Sequence, residues 1–167
     1  MALVTGAGSL IRDVRCNRTM NIEYVHLTRP YHFQSPFKGE DFVLFLYVQD
    51  EAVSVDEQAT VSREIVQEGC RYAVCAGYAC STWDDSIDLA YLELNDYDLK
   101  DENFVMTSWH DKEPLADAVF HFLYVTSFED FVADKFCVAV LGDGQAVVQE
   151  IRRHVKESTE PPCERDA

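Results

Sequence analysis

The chain has 167 residues, enough for one domain with a sizeable core, and 47% of them are hydrophobic against 26% charged, which excludes a disordered chain. Thirty acidic against fourteen basic side chains give a formal net charge of −16. Such a surface repels a phosphate backbone and an anionic membrane, so the expected partner is a basic protein or a small polar ligand, with no nucleic acid and no membrane.

In chain order, the first stretch stands apart. Arg12, Arg15 and Arg18 make it basic, and it is too broken by Gly, Ser and Thr to resemble a signal peptide. No apolar run is long enough to span a bilayer, so a cytoplasmic location is expected. Met20 stands directly before the first expected strand. Residues 1–20 therefore read as an extension with Met20 as an alternative start, residues 21–157 as a single α/β domain, and residues 158–167 as a loose tail.

The alternation of Ile22 to Leu27 predicts a strand at a sheet edge, and Pro30, Pro36 and Gly39 then impose a loop. Phe42 to Val48 is almost continuously apolar, the mark of a strand covered on both faces. Ser54 and Glu57 form a capping box for a helix whose inner face would carry Ala59, Ser62, Ile65 and Val66 and which stops at Gly69. "RYAVCAG" is a second buried strand. The next helix is predicted to begin near Thr82 and to pack Trp83, Ile87, Ala90, Tyr91 and Leu94 inward. Phe104 to Trp109 is a third buried strand, followed by a helix opened by Pro114 with Asp111 or Lys112 near its cap. Phe136 to Gly142 is a fourth, and a last helix runs from Gly144 to Lys156. Strand and helix alternate, which gives a three-layer Rossmann-like sandwich: a mainly parallel sheet of about four buried strands plus an N-terminal edge strand.

Six cysteines do not make this a disulfide scaffold at such a length. Four residues separate Cys70 from Cys75 and Cys75 from Cys80, unlike the close pairs of a zinc site, so no metal centre is assigned.

In open α/β sheets ligands bind beyond the carboxyl ends of the strands. Those positions hold Asp50 and Glu51; Gly77, Cys80, Ser81, Trp83, Asp84 and Asp85; Ser108, Trp109, His110 and Asp111; and Gly142, Asp143 and Gly144. His110, with Asp111 beside it, has the chemistry of a general acid or base. Asp50, Asp84 and Asp85 can bind a polar ligand, hold Mg2+ or bond ribose hydroxyls, and Trp109 can stack on a flat ligand; no cofactor is otherwise identified. Asp84 and Asp85 equally suit the first turn of a helix, where its dipole stabilises them. Asp88 does not: it faces Asp84 four residues earlier, an unfavourable like-charge pair. Trp83 shares a helical face with Ile87 and reads as core, and His121, in an apolar helix, as a hydrogen-bonded core histidine.

"LVTGAGSLIR" differs from the glycine fingerprint of the short-chain dehydrogenases at Leu10 and Arg12, and no P-loop or nucleophile elbow occurs. The stretches "CRYAVCAG", "CSTWDDSIDLAYL" and "FVMTSWHDKEPLADAVF" resemble an uncharacterised family of small bacterial Rossmann-like α/β domains over Phe42 to Val155. That resemblance implies only a bacterial, intracellular setting and brings no activity that can be carried over to this chain. A tryptophan beside a carboxylate-rich helix start is also similar to nucleotide-processing Rossmann-like domains, whose helical glutamate would fall at Glu93, here near its helix end. Two functions are carried forward: a binding module working at the carboxyl edge of the sheet, and an enzyme on a nucleotide-like or small polar substrate that uses His110 and nearby aspartates.

Overall fold

A computed structural model describes residues 2–4, 9–13, 18–98 and 101–160. The strands are β1 (Ala2–Val4), β2 (Ser9–Asp13), β3 (Arg18–Leu27), β4 (Phe42–Val48), β5 (Cys70–Gly77), β6 (Met106–His110) and β7 (Lys135–Leu141). The helices are α1 (Val55–Gln67), α2 (Cys80–Leu94), α3 (Leu115–Tyr124) and α4 (Gln145–Thr159). The sheet order is β1-β3-β7-β4-β5-β6, with β2 also paired to β3. The five strands β3, β7, β4, β5 and β6 run parallel; β1 and β2 lie antiparallel along the outer side of β3. No described helix is long and apolar enough to cross a membrane.

The expected α/β architecture is present, and its layers follow from strand alternation. One face buries Leu44, Leu46, Cys75 and Ala139 under α1, α2 and the loop from Thr28 to Asp41, which tucks in Tyr31, Phe33 and Phe37. The other buries Val43, Phe45, Val74 and Val138 under α3 and α4. Phe122 of α3 fixes that second layer, with its ring 5.4 Å from Phe45 and 5.3 Å from Phe136. The capping box opens α1 as expected: Glu57 N–H donates to Ser54 Oγ and Ser54 N–H to Glu57 Oε2.

Several local expectations are corrected. The alternating N-terminal strand is no edge, because β3 has β7 on one side and β1 and β2 on the other. Alternation reports that one face is half-buried and carries no information on lateral pairing. Met20 lies inside β3, fully buried. The third apolar run is no buried strand: β6 ends the sheet, and Phe104 and Met106 are exposed around a buried Val105. Helix α2 starts at Cys80 behind a left-handed Ala79, two residues before the predicted Thr82. In α1 it is Val61, not Ala59, that joins Ser62 and Ile65 inside. Pro114 itself occupies the cap of α3, so neither Asp111 nor Lys112 caps it.

Candidate functional site

The chain leaves β4 toward β5 and β6 on one face of the sheet, then returns through α3 on the other face to place β7 between β4 and β3. The connections therefore diverge between β4 and β7, the point where open α/β sheets leave a crevice. A cleft of about 570 Å³ lies there, lined by Gln49, Asp50 and Glu51 after β4, by Gly142 and Asp143 after β7, and by His26, Thr28, Arg29 and Tyr31 from the end of β3. Its floor is tight. The Gly142 backbone lies at φ +112°, and a Cβ there would stand 2.9 Å from Asp50 N, so glycine is required. Gly142 O is also bonded to His26 Nε2.

Asp50 organises the wall of this cleft. Its Oδ1 accepts from Ala52 N–H at 2.8 Å, and its Oδ2 accepts from the Tyr31 hydroxyl at 2.5 Å and meets Arg29 Nη1 at 2.8 Å. The Tyr31 bond, then the Ala52 N–H, hold the Asp50 carboxyl below its usual range. Burial first, and the bond to Asp50 second, push Tyr31 up to about 12. Arg29 continues to Glu57 at 3.1 Å and to Ala52 O at 2.7 Å, tying the β3–β4 loop to the start of α1.

A second group surrounds β6, and the strand divides it. Thr107 turns to α2, where its hydroxyl donates to Asp88 at 2.9 Å, and Trp109 shares that face. Ser108 and His110 turn to α3. His110 Nδ1 is 2.7 Å from Glu113 Oε2, His110 Nε2 is 3.5 Å from Ser108 Oγ, and the His110 ring meets His121 edge-on at 4.7 Å. The Tyr72 hydroxyl lies 3.1 Å from His121 Nε2, which gives His121 the partner expected of a core histidine. Burial, then the neighbouring His110, lower the pKa of His121.

The residues singled out in the sequence thus fall into three places. Asp50 lines the switch-point cleft. Asp84, Asp85 and Trp109 belong to the α2 side of β6, and His110 and the exposed Asp111 to its other side and carboxyl end. The partner of His110 is Glu113, three residues on. The dipole explanation for Asp84 and Asp85 does not hold, because α2 begins at Cys80 and its first turn has no acid. Asp84 is instead 6% exposed with Oδ1 unpartnered, and burial first, then Asp88 and Asp85, push its pKa up against the Thr107 hydroxyl, which lowers it. Trp83 is core, packed with Ile87. Among the described residues no group of three or more His, Cys, Asp or Glu side chains is arranged to hold a metal ion. Sequence reasoning missed His26, Arg29 and Tyr31. The alternation of β3 predicts a peripheral strand, so its end is not among the carboxyl-edge positions expected from the sequence.

The fold and the loops gathered at its crossing point define a doubly wound, Rossmann-like α/β domain. Residues 22–158 match the family described as Domain of unknown function (DUF7684), and the chain belongs to that family, as the resemblance to an uncharacterised domain family led us to expect. Among curated proteins, none matches the chain.

Proposed function

We propose that the protein is a binding module that takes a small polar ligand at the carboxyl edge of its sheet, in the cleft between the ends of β3, β4 and β7. The observation that carries this reading is the position of that cleft at the crossing point of the sheet, over a Gly142–Asp50 approach that admits no side chain. The Thr28 hydroxyl, the Gln49 amide and the exposed carboxylates of Glu51 and Asp143 line it, which suits a ligand bearing hydroxyl or amine groups. A cytoplasmic setting belongs to the same proposal and is supported by the free, buried thiols of Cys70, Cys75, Cys80 and Cys137. The test is a thermal-shift screen of nucleosides, nucleotides, sugars, amines and divalent cations. A ligand at about one hundred times its Kd adds about 2.7 kcal/mol of stability, a shift of several degrees. We expect at least one such shift in the wild type and none with that compound in Glu51→Gln/Asp143→Asn. A screen without a shift, or a shift unchanged in the variant, overturns the reading.

A second reading, an enzyme using His110 as acid or base, is supported by the Ser108–His110–Glu113 chain, in which a carboxylate orients an imidazole whose other nitrogen faces a hydroxyl. A fluorophosphonate should then label Ser108, and His110→Gln should abolish labelling. An unlabelled wild-type chain removes this reading.

A further inference from the structure

Among the described residues strand β6 ends the sheet, so the outward N–H and C=O groups of Met106–His110 face no described strand. Edges are commonly blunted by proline or lysine, and β6 contains neither. Instead Met106 and Trp109 stand 38% and 56% exposed, with Phe104 just before the strand at 37%.

Along the same edge α2 presents Asp84, Asp85 and Asp88. Asp88 accepts from Thr107 of β6, and Asp84 is buried against the strand with one oxygen unpartnered. Of the basic side chains nearby, Arg63 is engaged with Glu93 at 2.7 Å, Arg71 with Asp41 at 2.7 Å, and Lys112, just past the strand, with Asp111 at 3.7 Å. A free backbone ladder, an exposed tryptophan and three carboxylates on one face thus share one edge. A second copy of the chain would bring another −16 charge to this acidic edge and is repelled.

We propose that the free edge of β6 is the docking strand for an extended, lysine- or arginine-rich segment of a partner protein, which joins the sheet as an additional strand. Side chains of an added strand alternate between faces, as they do along β6. Its basic residues meet Asp84, Asp85 and Asp88 on the α2 face, and the intervening apolar residues lie beside Met106 and Ser108. This site is separate from the switch-point cleft and does not depend on a ligand there.

The test uses the full chain and three peptides at low salt: Ac-KVKVKVK-NH2, Ac-EVEVEVE-NH2 and Ac-KPKPKPK-NH2. Affinity is measured by calorimetry and the site by hydrogen exchange. We expect only the lysine–valine peptide to bind and to slow exchange of the β6 amides. Asp84→Asn/Asp88→Asn should weaken it about tenfold, as should Trp109→Ser at a position too exposed to unfold the chain. Glu150→Gln/Glu157→Gln, on α4, should change it by less than about twofold. Equal weakening by the two acidic pairs would reduce the effect to net charge and overturn the proposal. So would tight binding of the proline peptide, unchanged exchange at β6, or a wild-type dimer that Trp109→Arg dissociates.

Discussion

Asp50 and Asp84 stand near the same edge of one sheet, the first just after β4 and the second one turn into the helix that follows β5, yet their surroundings are opposite. Asp50 has a partner for each oxygen, and those partners hold its carboxyl in the charged form. Asp84 is more deeply placed, shares Thr107 with a neighbouring carboxylate and leaves Oδ1 without a partner. An acid near a strand end can thus be fully bonded into the scaffold, as Asp50 is, or stand buried and incompletely bonded beside a strand, as Asp84 does. Asp50 binds loop to loop and so shapes the cleft. A buried carboxylate with one oxygen unpartnered is expected to cost the isolated chain stability, the opposite of the expectation for Asp50.

The largest effect is expected at Asp50. Asp50→Ala removes the acceptor for Tyr31, Arg29 and Ala52 N–H together and leaves only the Arg29 bonds to Glu57 and Ala52 O to hold the β3–β4 loop to the start of α1. Charge-assisted bonds of this kind, partly open to water, make the loss about 2 kcal/mol, or about 4–8 °C in Tm. Calorimetry of the purified variant checks this. A Tm within a degree of the wild type would show that the network adds nothing to the fold.

The layers of this fold were legible because burial writes itself into composition. The apolar runs of β4, β5 and β7 could only be covered strands, and Ser54 with Glu57 placed the start of α1. Lateral order was not legible. Whether a strand is central or terminal depends on its neighbours along the hydrogen-bond direction, which side-chain patterning does not encode, and so β3 and β6 exchanged roles. The candidate site suffered from the same gap. With β3 expected at the edge of the sheet, its end, and Arg29 and Tyr31 with it, is not part of the expected carboxyl-edge crevice. Trp109 and His110, adjacent in sequence and both expected at the carboxyl edge, lie on opposite faces of β6 because a strand sends consecutive side chains to opposite sides. Glu113 was within reach of sequence reasoning, since a turn of three residues after His110 brings a carboxylate back to its ring. The unpartnered oxygen of Asp84 was not, because it arises from the depth at which α2 packs on β5 and β6.

The effect expected at Asp84 is smaller and of opposite sign. Asp84→Asn removes a buried charge opposed by Asp88 and Asp85, and it should stabilise the chain at pH 7 by about 1 kcal/mol, or about 2–4 °C. The pH dependence follows from linkage. Asp84 has a folded pKa raised above 3.8, so the folded chain holds its proton where the unfolded chain has released it. The favourable contribution of the protonated group is complete below about pH 3.8 and is lost as pH rises through the folded value. The advantage of Asp84→Asn must therefore be full at pH 7, shrink on acidification and vanish near pH 3.8. Asp50 runs the other way. Its pKa is lowered, so its stabilisation is present above 3.8 and is lost as pH falls through the folded value. In the wild type, then, protonation of Asp84 and of Asp88, whose pKa is raised in the same way, adds stability on mild acidification before the loss at Asp50 takes over. Tm values of wild type and Asp84→Asn across pH 3.5–7.5 separate these terms. A gap between the two that stays constant across that range would mean that Asp84 carries no raised pKa, and the contrast with Asp50 would fall.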